Sequence, residues 1–263
     1  MISTLLQFFA FQGTALIIEI PLMENIEINE AYIEWDDNQY ELTLTEDNAL
    51  VALIGIDLDT SAGSYIVPLS YVENENQFEL EIFLEVGSWT FPTTELTVEP
   101  QYVSLSPENL ERANRDSRLI SEAYSIRSDI TAWQNQFMVP LQGVSEGSNF
   151  GHRRVFNGEP RAPHSGADLA SPTGTEIYAS NSGQIVLAED LFFSGKAVFI
   201  DHGSGIFTTY LHLSEILVEE GQMVEKGELI GLVGATGRVT GPHLHWGARI
   251  GTARVDPFSL VAN

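Results

Sequence analysis

Apolar residues recur in short, often alternating runs through the first hundred positions: 15–20, 31–35, 40–44, 49–54, 64–69, 77–84 and 95–98. A period of two sends successive side chains to opposite faces of a strand. Breakers such as Asp36-Asp37-Asn38 and Ser61-Ala62-Gly63 interrupt the runs. Short strands separated by turn signals predict a small all-β module, a sandwich or barrel, over residues 1–100. Residues 1–12 are apolar and as long as the core of an export signal, without a positive start or an Ala-x-Ala site. They read either as the remnant of such a signal or as a first strand.

The pattern changes between 101 and 133. Ser106-Pro107 offers a helix cap followed by a first-turn proline. Leu110, Ala113, Leu119, Ala123 and Ile126 then form a partial helical stripe to about residue 128. This connector carries Arg112, Arg115, Arg118 and Arg127, which are expected to pair with the acidic module before it. Strand patterning returns over 134–263, at 176–179, 184–188, 197–201, 207–212, from 223, 229–233 and 243–249, with glycine at most of the turns. The expectation is a mainly β chain of two domains, the second an antiparallel β domain with a cleft on one face.

Charge is distributed unevenly. The net charge is −25, and no Lys or Arg precedes Arg112. Residues 1–133 hold 24 acidic and 4 basic residues, against 13 and 8 in 134–263. Such a chain has no basic patch for nucleic acid and little attraction to anionic lipid. No apolar run is long enough to be a spanning helix. The acidity reads as a solubility adaptation, with a cationic partner or an acidic cover over the second domain as the competing account. Asp57 and Asp59 supply too few oxygen ligands for a calcium loop and read as a solvated turn.

Candidate chemistry is confined to the second half. Four histidines and one aspartate lie in His164-Ser165-Gly166-Ala167-Asp168, Tyr210-Leu211-His212-Leu213 and Gly241-Pro242-His243-Leu244-His245. Catalytic zinc takes three nitrogen or oxygen ligands and keeps one position open, and spare imidazoles beside it can move protons near neutral pH. His243 and His245, two apart, share a strand face, and Gly166 lets the chain bend between His164 and Asp168. The chain has no cysteine, which excludes thiol chemistry, and it contains neither a His-Glu-x-x-His helix nor a Gly-x-Ser-x-Gly elbow. His202, in Asp-His-Gly after an apolar run, reads as structural, and His152 as a residue near the cleft mouth.

These motifs resemble the lysostaphin/LytM-type zinc peptidases of bacterial peptidoglycan over residues 137–260. Phe150-Gly151-His152-Arg153, His164-Ser165-Gly166-Ala167-Asp168, Asp201-His202-Gly203, Tyr210-Leu211-His212-Leu213 and the stretch from Gly237 to Trp246 carry the likeness. The resemblance implies one zinc ion per chain held by His164, Asp168 and His245, with His212 and His243 as the catalytic pair. It implies an endopeptidase acting on peptidoglycan stem peptides in the cell envelope, periplasmic or secreted, with a D-alanine to diaminopimelate crosslink as the first-choice bond and stem trimming as a carboxypeptidase beside it. Added domains in such enzymes restrain access to the cleft, so residues 1–133 are expected to position or cover it. The competing expectation is a non-catalytic wall-binding or hydrolase-activating protein of the same fold. The hairpin of residues 220–231 is similar to half of a biotinyl or lipoyl carrier domain, with Lys226 at its turn, but a carrier does not explain the four motif histidines.

Overall fold

The computed structural model describes residues 6–22, 28–45, 47–73, 75–97, 99, 102, 104–128, 132–133, 136–144 and 149–261. Residues 1–5 of the apolar opening and Val98 of the run at 95–98 lie outside the described residues. The chain divides into two compact units, residues 1–90 with 250–255 and residues 91–249 with 256–263.

The first unit contains β1 (Leu6–Phe11), β2 (Thr14–Pro21), β3 (Ile28–Trp35), β4 (Asn38–Glu41), β5 (Thr43–Leu44), β6 (Ala49–Ile56), β7 (Gly63–Glu73) and β8 (Asn76–Gly87). They form a five-stranded sheet ordered β1-β8-β7-β3-β4 and a three-stranded sheet ordered β2-β6-β5. Branched residues at alternate positions, among them Ile18, Ile20, Ile33, Ile54, Ile56 and Ile82, are fully buried, which is why the period-two pattern was legible. The apolar opening contributes β1, which runs parallel to β8.

Asp57 and Asp59 depart from the solvated turn expected of them. Arg254, in the 250–255 segment of this unit, donates to Asp57 from Nε (3.0 Å), Nη2 (2.7 Å) and its backbone N–H (2.8 Å), and to Asp59 at 3.0 Å. A two-pronged guanidinium matches a carboxylate in geometry as well as charge, and its contribution arrives from 197 residues away.

The second unit begins with β9 (Thr93–Leu96), α1 (Pro107–Ser125), β10 (Arg153–Phe156), β11 (Glu159–Arg161), β12 (Gly166–Ala170), β13 (Glu176–Tyr178) and β14 (Gly183–Leu191). It continues through β15 (Gly195–Asp201), β16 (Ile206–Ile216), β17 (Met223–Val224), β18 (Leu229–Val233) and β19 (His243–Ile250). The main sheet is ordered β12-β19-β16-β15-β14-β17, with β18 paired to both β13 and β16. Trp246, Tyr210, Leu244 and Ile230 are fully buried in its core. β9, read from sequence as the last run of the N-terminal module, instead pairs parallel to β10 in this unit.

The helix starts as its sequence dictates. Ser106 Oγ accepts from Asn109 N–H (3.2 Å), with Pro107 in the first turn. Ala123 is buried, and Leu119, Ile120 and Tyr124 join it against Val186, Leu187, Phe199 and Phe207. Three of its arginines pair otherwise than expected. Arg112 meets Asp190 (3.3 Å) and Arg115 meets Asp116 (3.0 Å), while Arg127 Nη1 donates to the carbonyls of Tyr124 and Ile126. Those carbonyls belong to the helix end, where a cation satisfies orphaned acceptors. Lys226 donates to Gln136 O, and its backbone N–H to Ser182 Oγ, so the lysine of the carrier-like hairpin is held as a turn residue.

Candidate metal centre

Strand register builds the centre. β12 and β19 run antiparallel with Asp168 opposite His245 and Ala170 opposite His243. Directly opposed residues lie close enough to touch, so a carboxylate and an imidazole far apart in sequence meet: His245 Nδ1 is 2.9 Å from Asp168 Oδ1. His243, two residues earlier, emerges on the same face, with Nε2 3.6 Å from that oxygen. His164 lies in the chain leading into β12, where its Nε2 is 3.0 Å from Asp168 Oδ1 and 2.9 Å from His245 Nδ1. Gly166 makes the approach geometrically feasible. A Cβ there would sit 2.6 Å from His245 Nε2 and 2.5 Å from Trp246 O, too close for any side chain.

Asn149 ties the group together. Its backbone carbonyl lies 2.9 Å from His164 Nδ1. A carbonyl only accepts, so Nδ1 carries the proton and Nε2 presents a lone pair. The Asn149 side chain also donates to Asp168 Oδ2 (3.0 Å) and accepts from Asp168 N–H (2.9 Å). Burial pushes Asp168 up, but the bond and charge of His245, the charge of His243 and the bond from Asn149 outweigh it and hold its pKa at about 2. Thus an ionised carboxylate and two imidazole nitrogens converge, with ligand atoms of His164, Asp168 and His245 all within 4.8 Å of one another. Atoms crowded in this way are held together by a proton on His245 Nδ1 or by a metal cation in its place, and two nitrogens with one oxygen suit zinc. The donor set fits a metal.

His212 reaches the same cleft from β16. Its backbone is left-handed, φ +68, a conformation costly for a residue with a Cβ and concentrated at functional sites. Register shifts flank it, between Lys196 and Val198 on β15 and between Leu213 and Glu215 on β16. Its N–H donates to Ser194 O (2.9 Å), and Nδ1 lies 2.9 Å from Thr236 O. Nδ1 therefore carries the proton and Nε2 is free to accept. Burial above all, then the charges of His245 and His243, lowers the His212 pKa to about 3. The His212 and His243 rings are 4.9 Å apart. His243 Nδ1 is 2.9 Å from Gly241 O, which likewise leaves Nε2 facing the cleft.

The other two histidines stand apart from this group. His202 is fully buried between Ser182 O (2.7 Å) and Thr208 Oγ1 (2.8 Å), a structural position as its sequence context predicts. His152 Nδ1 lies 2.8 Å from Thr94 Oγ1 and lines the cleft beside Asn149 and His243.

Several cleft residues escaped the sequence reading. Arg154 and Arg238 line it with Asp168, His212, His243 and His245, and Leu96 of β9 does so too. Asn149 precedes a recognised motif and Arg238 lies inside one, yet nothing in their neighbours distinguishes them from loop residues. The one available signal was scarcity, since the whole chain has only 12 Lys and Arg.

Similarity to known proteins converges on the same stretch. The profile of peptidase family M23 matches residues 162–257. Peptidoglycan DD-endopeptidase ShyA of Vibrio cholerae is 51% identical over 100 residues, 38% of this chain and 23% of that protein. DD-carboxypeptidase/endopeptidase Mpg of Neisseria meningitidis is 47% identical over 122 residues, 46% of this chain and 28% of that protein. The chain therefore spans about a quarter of the length of these curated relatives. A solved Pseudomonas aeruginosa structure assigned to peptidase M23 covers 99% of this chain and 96% of its own, with TM-score 0.71 and 27% identity.

Proposed function

We propose that this chain, whose residues 162–257 match peptidase family M23, is a zinc-dependent endopeptidase that hydrolyses peptide crosslinks of bacterial peptidoglycan in the cell envelope. The observation that carries the proposal is the convergence of His164 Nε2 and His245 Nδ1 on one oxygen of Asp168, with His212 and His243 beside them. In this reading His164, Asp168 and His245 hold one zinc ion. Zinc bound there supplies a water acidified toward neutrality and a polarised scissile carbonyl.

The protein's own residues carry the protons. His212, neutral at physiological pH, accepts the proton of the attacking water at Nε2. His243, once it has taken up a proton at Nε2, gives it from there to the developing oxyanion or the leaving amine. His245 above all, with His243 and Asn149, keeps Asp168 ionised, and the Asn149 carbonyl keeps His164 in the tautomer whose lone pair faces the cleft. The bond is the D-alanine to diaminopimelate crosslink, a choice supported by the DD specificity in the names of the two relatives. Among the described residues no helix is long and apolar enough to cross a membrane.

We extend the proposal to residues 1–133, which govern access to the cleft. Leu96 and Thr94 of β9 line it, which supports this reading. Leu96→Ala in the full chain should change turnover of intact wall more than turnover of a short soluble peptide, and equal effects on the two would refute the extension.

The test of the main proposal is release of soluble fragments from purified cell wall by the full chain. Release should stop with a chelator, return with zinc and be lost in His243→Ala. Wall binding without release, zinc or no zinc, would favour the non-catalytic alternative.

A further inference from the structure

Arg154 and Arg238 line one wall of the cleft, and a third arginine stands behind them. Arg154 on β10 and Arg161 on β11 are directly opposed across the antiparallel pair. Like charges in that arrangement are destabilising. Arg238, on the loop before β19, faces both. Its Cζ lies 4.8 Å from the ring centre of Phe156 and 4.5 Å from that of Phe193. Those contacts engage the faces of the guanidinium and leave its N–H edge unspent. Among the described residues no carboxylate pairs with Arg238. Arg154 lies 3.9 Å from Asp168, a carboxylate already committed to three histidines and Asn149. Burial, and then the charges of Arg154 and Arg161, pull Arg238 down to about 10, so it stays charged at neutral pH.

A chain of net charge −25 with 12 basic residues has thus set three of them together, and among the described residues the one carboxylate in reach of them is Asp168, 3.9 Å from Arg154. We infer that Arg238, supported by Arg154 and Arg161, is a carboxylate-binding subsite that recognises the free carboxylate on the amine side of the scissile bond. The inference rests on the peptidase reading above and names what that site selects. In a link from D-alanine to the D-centre amine of diaminopimelate, the carbon bearing the scissile nitrogen also carries a free carboxylate. A terminal D-alanine presents the same group, so one subsite serves endopeptidase and carboxypeptidase action alike. A glycine bridge has no such group and gains nothing from the arginines. A guanidinium edge matches a carboxylate with two parallel hydrogen bonds.

The test pairs two ligands, a D-alanine–diaminopimelate crosslinked peptide dimer and the same dimer with that carboxylate amidated. Both are titrated by calorimetry into the zinc-loaded full chain at low temperature, and cleavage of both is followed separately. The acid should bind roughly 10- to 100-fold more tightly than the amide, the worth of a charge-assisted bond. In Arg238→Gln that ratio should fall to about threefold or less, and Arg238→Lys, which keeps the charge, should retain part of it. Equal binding of acid and amide by the unaltered protein would overturn the inference whatever the variants do, as would an undiminished preference in a folded Arg238→Gln. A preference for the acid that depends on Arg238, with neither dimer cut, would uphold the subsite and count instead against the peptidase reading.

Discussion

Asn149 and Asp168 are joined by two hydrogen bonds in opposite senses: the Asn149 amide donates to the Asp168 carboxylate at 3.0 Å and accepts from the Asp168 backbone N–H at 2.9 Å. The same residue's carbonyl fixes the tautomer of His164. Two of the three candidate ligands therefore lean on one residue that is not itself a ligand, Asp168 on its side chain and His164 on its backbone carbonyl. Partners of this kind typically change metal affinity 10- to 100-fold. Asn149→Ala should weaken zinc binding by about that factor in a chelator competition, with the fold intact by circular dichroism. Unchanged affinity would show that Asn149 is only a loop residue.

His212 should reveal its strained backbone. Glycine tolerates a φ of +68 without penalty and alanine does not. His212→Gly should therefore be more stable than His212→Ala by about 1 kcal/mol in denaturant unfolding, a reversal of the usual order. Both variants should bind zinc as the parent does and lose turnover by roughly 10²- to 10⁴-fold. Loss of zinc together with turnover would instead make His212 part of the metal site.

His202 gives the second unit a pH dependence that can be assigned. Burial, opposed only by its bond to Ser182, holds its pKa at about 4. Its unfolded value is near 6.5. Between these the unfolded chain takes up a proton that the folded one refuses, so stability is full above about 6.5 and declines as pH falls toward 4. The contribution is about 3 kcal/mol at most. His202→Gln should flatten this part of the stability-against-pH curve, and an unchanged slope would assign the effect to other groups.

Arg254 should matter to the first unit although it lies nearly at the other end of the sequence. Its removal leaves Asp57 buried to 15% side-chain exposure without its main donor. Burial alone would raise the Asp57 pKa, and the Arg254 bonds reverse the sign. Arg254→Ala is expected to destabilise this unit by about 1–3 kcal/mol, read by unfolding. Asp57→Asn with Arg254→Ala should cost less than the sum of the two single changes.

Which features the sequence disclosed follows from how local their causes are. β7 and β8 announce themselves because each buries alternate side chains of its own, and Ser106-Pro107 caps its helix with adjacent atoms. The five site residues were legible as motifs, and the register of β12 against β19 supplies the physical reason that Asp168 meets His245. That register was not legible, because β12 is a short strand whose pairing lies 77 residues away. The same distance problem hid the Asp57–Arg254 clamp and the transfer of β9 to the second unit. Arg238 was hidden for another reason: its significance lies in partners it lacks, and a missing partner leaves no trace in a sequence.

The central claim is tested most directly by mass spectrometry of crosslinked peptidoglycan after incubation with the zinc-loaded full chain, with His245→Ala run alongside. The account predicts new uncrosslinked muropeptides bearing a freed diaminopimelate amine, absent with the variant. An unchanged muropeptide profile from the zinc-loaded protein, or the same products from His245→Ala, would contradict it.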